Sequence, residues 1–257
     1  MIDLHTHMLP GIDDGPSDLA GSLAMARAAV AAGTQIAAAT PHIGPHHGVV
    51  IEELASRVAE LQRELDDARI PLQVVPGGEL APTHAADASV AELQRITLGG
   101  GRCLLLECPF TSGSGLMPVL LEQLRGRGFR VLLAHPERSP EFLRDPRGLA
   151  MLVDAGVCIQ ITAASLLGGF GQTPQQYALG LLDAGLVHAV ASDAHDAERR
   201  PPEVLGIVEP VVRECRLPPA TTRFVTVDAP RALLDDAPLP PAPSRESRSW
   251  RRRRSRR

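Results

Sequence analysis

The chain has 257 residues, 44% of them hydrophobic and only 3% aromatic, with 26 basic against 30 acidic side chains and a net charge of −4. About 235 residues suffice for one large α/β domain with an aliphatic core, and no apolar run approaches the roughly 20 residues needed to cross a bilayer. The N-terminus opens directly into strand and polar motif, with no room for a signal peptide, so a cytoplasmic protein is expected.

Met1–Leu4 reads as a buried strand that runs into DLHTHMLPGIDDG, bringing His5, His7 and Asp14. Leu19–Ala32, stopped by Gly33, is patterned as a helix. Gln35–Ala39 is a second strand, followed by TPH with His42. In Ile51–Ala68, Leu54, Val58, Leu61 and Leu65 recur at helical spacing, and Leu72–Val75 then leads to GGEL with Glu79. Cys103–Leu106 ends at LLECP with Glu107, and Arg130–Ala134 at LLAHPER with His135. Val157–Ile161 ends in Thr162 without a ligand, whereas Val187–Ala191 ends in ASDAH with Asp193 and His195. Such β/α alternation predicts a parallel sheet. Closure would gather the strands' C-terminal ends on one face, and seven strands predict an incomplete or distorted barrel.

Cys103, Cys108, Cys158 and Cys215 form no C-x-x-C pair, and three of them sit in or beside strands as small apolar residues do. None is followed six positions later by Arg, so thiol-based phosphatase chemistry is excluded. All 26 basic residues are arginines, which reads as nucleotide-composition bias. From Pro238 the chain is Pro-rich and then carries eight Arg against one Glu, leaving about −11 for the remainder. Residues 238–257 are therefore expected to be a disordered tail behind a domain of residues 1–237. The tail could touch an anionic membrane surface, at about 1 kcal/mol per Arg; a solvated extension without a dedicated partner is the expectation.

His-x-His at a strand end sends both imidazoles to one side. One such pair is weak evidence. Here carboxylates and histidines follow five other apolar runs, and a buried Glu or Asp is costly unless paired or bound to a cation. The set His5, His7, Asp14, His42, Glu79, Glu107, His135, Asp193 and His195 therefore predicts a metal site. Mixed His/carboxylate spheres suit Mn, Fe or Zn, and Mg is compatible. Nine ligands exceed the needs of one ion, so two or three divalent ions are expected. Closely spaced ions favour phosphate ester hydrolysis.

DLHTH with DDG, TPH, GGEL, the Glu of LLECP, AHPER and SDAH resemble the motif series of the polymerase and histidinol phosphatase (PHP) superfamily. GIDDGP, AHPER, TAASLLGGFG, GLVHAVASDAH and RRPP resemble its branch of manganese-dependent protein-tyrosine phosphatases encoded with bacterial capsule and exopolysaccharide genes. The resemblance spans residues 1 to about 235. It implies a distorted (β/α)7 barrel and three ions, preferably Mn. One would be held by His5, His7, Glu79 and Asp193, a second by Glu79, Glu107 and His135, and a third by Asp14, His42 and His195, with Glu79 as bridge. It further implies that Arg138 and Arg200 grip the phosphate, that hydroxide generated at the metals attacks it, and that the substrate is phosphotyrosine on a bacterial tyrosine autokinase. Arg199 is a neighbour that could substitute; Arg200 is preferred because it directly precedes Pro201-Pro202. Arg suits the role through its planar, always charged fork.

Rival readings are a histidinol-phosphate phosphatase of the same fold and a non-catalytic regulator that binds the kinase. Nucleic acid is not an expected partner, because the domain is acidic. His46 and His47 in GPHHG would line the pocket mouth or stand exposed; His84 is expected in a loop, and His188 opens the last strand away from the catalytic face. Thr162 and Ser165 are assigned to loop capping.

Overall fold

The computed structural model describes residues 1–109 and 117–243. Nine strands run through it: β1 (Ile2–Thr6), β2 (Ile36–Ala39), β3 (His42–Ile43), β4 (Gln73–Pro76), β5 (Glu79–Leu80), β6 (Cys103–Glu107), β7 (Arg130–Ala134), β8 (Cys158–Thr162) and β9 (Ala189–Ala191). Seven of them fall on the expected runs. The two extra strands, β3 and β5, are two-residue pieces that contain His42 and Glu79 themselves.

All pairings are parallel, as alternating helices require. They form a three-stranded sheet, β1-β2-β4, and a six-stranded sheet, β3-β5-β6-β7-β8-β9. The chain passes from the three-stranded to the six-stranded sheet at β2 to β3, returns between β3 and β4, and crosses again at β4 to β5. On the opposite side, Asp193 donates to the His5 carbonyl at 3.0 Å and His7 donates to that of Ala194 at 2.9 Å, joining the segment after β9 to the end of β1.

The helices follow the apolar periodicity. Asp18 caps Leu19–Ala31 by accepting from Gly21 N–H, and Ser22, Met25, Ala26 and Ala29 face inward. Gly33, at φ 89°, follows its end. The predicted Ile51–Ala68 helix begins with a 3-10 turn at Ile51–Glu53 and continues as Leu54–Asp67, burying Leu54, Val58, Leu61 and Leu65. His84 lies not in a loop but in the Pro82–Asp87 helix, where Pro82 occupies the first turn that tolerates its missing N–H.

Period-two alternation divides the core. Ile2, Leu4, Ile36, Ala38, Cys103, Leu105, Leu132, Ala134, Cys158 and Ala189 form one cluster, while Leu104, Leu106, Val131, Leu133, Ile159, Ile161 and Val190 pack with the helices. Cys103, Cys108 and Cys158 are buried thiols, as expected. Among the described residues no helix is long and apolar enough to cross a membrane. Beyond Ala237, Leu239 packs against both apolar clusters. The Arg-rich segment from Ser244 onward lies outside the described residues.

Candidate metal centre

The face that carries Cys103 and Leu105 continues along β6 to Glu107, and Glu79 is register partner to Leu105 with His42 beside it. One strand face thus changes from aliphatic side chains to carboxylates and imidazole along its length. In β1 strict alternation would separate Leu4 from His5. The register instead pairs Asp3 with Ala37 and Thr6 with Ala39, so β1 carries one extra residue. Such a bulge re-aims side chains, and here Leu4 joins the apolar cluster while His5 and His7 enter the site.

All nine predicted ligands converge. Four groups, His7/Asp14/His42/His195, His5/His7/Asp193, His5/Glu79/His135 and His42/Glu79/Glu107, each place their donor atoms within 4.8 Å of one another. Glu107 and His135 fall in different groups, with Glu79 common to both. The site opens into a cleft of about 460 Å3 lined also by Arg138, Arg200, His46 and His47. His47 stacks on His42, with ring centroids 4.6 Å apart. Arg199 lines a neighbouring hollow with Asp14 and His195.

Hydrogen bonding fixes where the imidazole lone pairs point. His5 Nδ1 donates to Gln160 Oε1 at 3.1 Å, His7 Nδ1 to Asp13 Oδ2 at 2.8 Å, and His195 Nδ1 to the Asp193 carbonyl at 3.0 Å. A neutral imidazole carries one N–H, so each Nε2 presents a lone pair. Those of His5 and His7 face each other at 3.2 Å, and both face carboxylates: Glu79 Oε2 at 3.2 and 3.4 Å, Asp193 Oδ1 at 3.5 and 3.6 Å. His195 Nε2 is buried without a hydrogen-bond partner among the described residues and stands 3.2 Å from Asp14 Oδ1. Electron pairs opposed in this way need a proton or a metal ion between them. Donors about 2.0–2.2 Å from a shared ion stand about 2.8–3.6 Å apart in tetrahedral or octahedral arrangements, so the spacing fits a metal.

The electrostatics agree. Burial pushes Glu79 and Asp193 toward the neutral acid and His5 and His7 toward the neutral ring, but their mutual attraction outweighs it. His5 foremost holds both carboxyls well below the usual range, and the carboxyls raise both rings, so a proton and a metal ion compete for the same Nε2 atoms. Burial and the nearby Glu79 raise Glu107 to about 7, so a bound cation would favour its carboxylate form. Burial, His7 and Arg200 push His195 down to about 4.

His135 and Asp193 adopt φ of 38° and 53°, sparsely populated conformations for residues with side chains. Each stands immediately after, or two residues after, its strand, where the turn delivers the side chain to the mouth. Gly15 of the DDG motif is fixed by contact: a Cβ there would meet the His7 carbonyl oxygen at 2.0 Å.

Arg138 and Arg200 each place a guanidinium nitrogen 2.8 Å from Asp193 Oδ2. The Asp193 carboxylate is thereby divided, Oδ1 toward His5 and His7 and Oδ2 toward the arginines.

Two supporting residues escaped sequence reasoning. Asp13 holds the His7 ring and the His42 N–H, at 2.8 and 3.1 Å; the Asp13-Asp14 doublet was a signal, but only Asp14 was assigned. Gln160 is a buried amide between Ile159 and Ile161, and a polar residue inside an apolar strand was its signal.

A family model described as capsular polysaccharide synthesis, CpsB/CapC, matches residues 1–234. Tyrosine-protein phosphatase YwqE of Bacillus subtilis is 38% identical over 204 residues, covering 78% of this chain and 79% of its own. Tyrosine-protein phosphatase CpsB of Streptococcus pneumoniae is 26% identical over 245 residues, covering 92% and 99%. A chain from the crystal structures of YwqE and CpsB, described as unique metal-dependent tyrosine phosphatases, superposes with a TM-score of 0.82 at 32% identity, covering 96% of this chain and 100% of that one. The chain belongs to the capsular polysaccharide synthesis CpsB/CapC family.

Proposed function

We propose that this chain is a metal-dependent protein-tyrosine phosphatase that hydrolyses phosphotyrosine on a bacterial tyrosine autokinase of capsule or exopolysaccharide synthesis. The observation that carries the reading is the convergence of the His5 and His7 lone pairs with Glu79 and Asp193, beside two arginines that share Asp193 Oδ2. The names of the relatives point the same way.

The donor set is oxygen and imidazole nitrogen without thiolate, which admits Mn, Fe, Zn or Mg, and the family resemblance selects Mn among them. His5, His7, Glu79 and Asp193 would hold one ion, and Asp14, His42 and His195 another; Glu107 and His135 would complete a third around Glu79. Bound ions would lower the pKa of water toward neutrality and screen the phosphate's charge.

The chain's own residues do the rest. Asp13 and Gln160 keep the His7 and His5 rings turned with Nε2 into the site. Arg138 and Arg200, anchored on Asp193, orient the non-bridging phosphate oxygens; a guanidinium carries five donors and can hold Asp193 and phosphate together. Tyrosine's phenolate, with a parent pKa of about 10, departs without a dedicated strong acid.

The same reading places the two sheets in one distorted (β/α)7 barrel, with β2 and β3, and β4 and β5, as two halves of single strands. Supporting it are the backbone bonds between the ends of β1 and β9. Residues 1–237 would form the catalytic domain, working in the cytoplasm, with residues 238–257 as an appended tail.

The test is phosphate release from a phosphotyrosyl peptide and from histidinol phosphate by the Mn-loaded protein. Preference for the peptide is expected. Preference for histidinol phosphate would move the chain to small-molecule chemistry, and no turnover of either with metal bound would mark a binding protein.

A further inference from the structure

Strand β8 ends in Thr162 and supplies no ligand, yet the segment after it, TAASLLGGFG, is tied directly to the arginine-bearing turn after β7. The link is Glu137. Its buried Oε1 accepts from Thr162 N–H at 2.9 Å and from the Ser165 hydroxyl at 2.7 Å, and the next residue is Arg138. Beyond Ser165 the chain folds back on itself. Gly169 N–H donates to the Ala164 carbonyl at 2.9 Å and Gly171 N–H to that of Gly168, also at 2.9 Å. Gly168 and Gly171 adopt φ of 81° and 101°, a region that side chains disfavour. This turn sets Phe170 against the arginine, with the Arg138 Cζ 4.1 Å from the ring centroid.

We propose that Phe170 is a positioning residue: its ring is the floor that holds the Arg138 guanidinium in the plane in which it grips the substrate phosphate. This rests on the reading of Arg138 as a phosphate ligand. An arginine side chain has several rotatable bonds, and ordering them during binding costs affinity. Stacking on an aromatic ring engages the face of the guanidinium and none of its in-plane N–H donors. The Asp193 contact at 2.8 Å pins one end of the same group. Together the carboxylate fixes the pivot and the ring fixes the plane. Arg138 is 17% exposed, against 36% for Arg200, in keeping with one arginine held ready and the other freer to close on the ligand. Thr162 and Ser165 do not cap the loop with their hydroxyls, contrary to the expectation from sequence: the Thr162 side chain makes no cap bond among the described residues. The Thr162 N–H and Ser165 hydroxyl instead bind Glu137, holding the segment that carries Phe170 beside the residue it supports.

The experiment uses the full-length, Mn-loaded protein as wild type, Phe170→Leu, Phe170→Tyr, Arg138→Ala and the Phe170→Leu/Arg138→Ala double variant. Two readouts are taken: affinity for inorganic phosphate by calorimetry, and kcat and KM on a phosphotyrosyl peptide. Phe170→Leu is expected to weaken phosphate binding roughly threefold to tenfold, with Phe170→Tyr within twofold of wild type. In the Arg138→Ala background the leucine substitution should add nothing, because the ring acts through the arginine. An equal loss in both backgrounds would overturn the proposal in favour of a general packing role. Intact phosphate affinity with a raised peptide KM would also overturn it, by putting the ring against substrate instead of arginine. A wild type without turnover would instead defeat the phosphatase reading, and phosphate affinity would still report on Phe170.

Discussion

The Nε2 atoms of His5 and His7 face one another at 3.2 Å, although each ring has already committed its Nδ1 proton elsewhere. Two lone pairs in that position repel unless a proton or a metal ion lies between them. The arrangement is produced by the extra residue in β1, which turns His5 into the site directly after Leu4 has joined the core.

Asp13 should therefore matter to metal affinity without being a ligand. Replacing Asp13 with Ala removes the acceptor at 2.8 Å from His7 Nδ1 and frees the ring to rotate or change tautomer. A loss of about 10- to 100-fold in Mn affinity is expected, measured by titrating metal into chelated protein. Gln160→Leu should act in the same direction through His5. Unchanged affinity in both variants would mean that the rings are held by packing alone.

The two arginines are predicted to be unequal to lysine. Arg138→Lys and Arg200→Lys keep the charge but lose the planar fork, so each should lower kcat/KM on a phosphotyrosyl peptide by about 10-fold or more. Alanine at either position should cost about 10²–10³-fold, as for other preorganised donors to a developing charge. Metal content, measured in parallel, should be little altered by substitution at Arg200, which is 36% exposed.

Gly15→Ala is expected to be severe for a residue with no chemistry. The added Cβ would stand 2.0 Å from the His7 carbonyl oxygen, so the DDG loop must move and carry Asp13 and Asp14 with it. Destabilisation of at least about 2 kcal/mol is expected, read from urea unfolding, together with weakened metal binding.

A pH effect is expected far from the site. Burial pushes His188 down to about 4, and its Nδ1 accepts the Ile159 N–H at 3.1 Å, which requires the neutral ring. In the unfolded chain the same ring titrates near about 6.5. Its contribution is complete above that value and is lost as pH falls from about 6.5 toward 4, because only the unfolded state gains the proton in that window. His188→Asn, which keeps an acceptor, should reduce the stability difference between pH 7 and pH 4 by up to about 3 kcal/mol. Parallel slopes for the two proteins would remove His188 from the account.

Much of this was legible in the chain because β/α order forces ligands at strand ends onto one face. His5, His42, Glu107, His135 and Asp193 are far apart in sequence and meet for that reason. Apolar runs located seven strands, and helical spacing located Leu54, Val58, Leu61 and Leu65 on one buried stripe. What escaped depends on tertiary register. The bulge in β1 is defined only against β2, and β3 and β5 exist only by pairing with each other and with β6. Asp13 and Asp14 are the same residue type side by side, and the loop's path alone decides that one faces the His7 Nδ1 at 2.8 Å while the other lies 3.2 Å from His195. The meeting of Arg138 and Arg200 on one oxygen of Asp193 had no sequence signal, since it joins turns after two different strands.

The central claim, that these nine side chains form a metal centre that hydrolyses phosphotyrosine, is tested most directly by metal-dependent turnover. Protein stripped with chelator and titrated with Mn would be assayed for phosphate release from a phosphotyrosyl peptide, with bound metal counted in the same samples and His135→Ala as control. The account predicts no release from stripped protein, recovery as two or three ions bind per chain, and little recovery in the variant. Undiminished release from stripped protein, or full activity of His135→Ala, would contradict it.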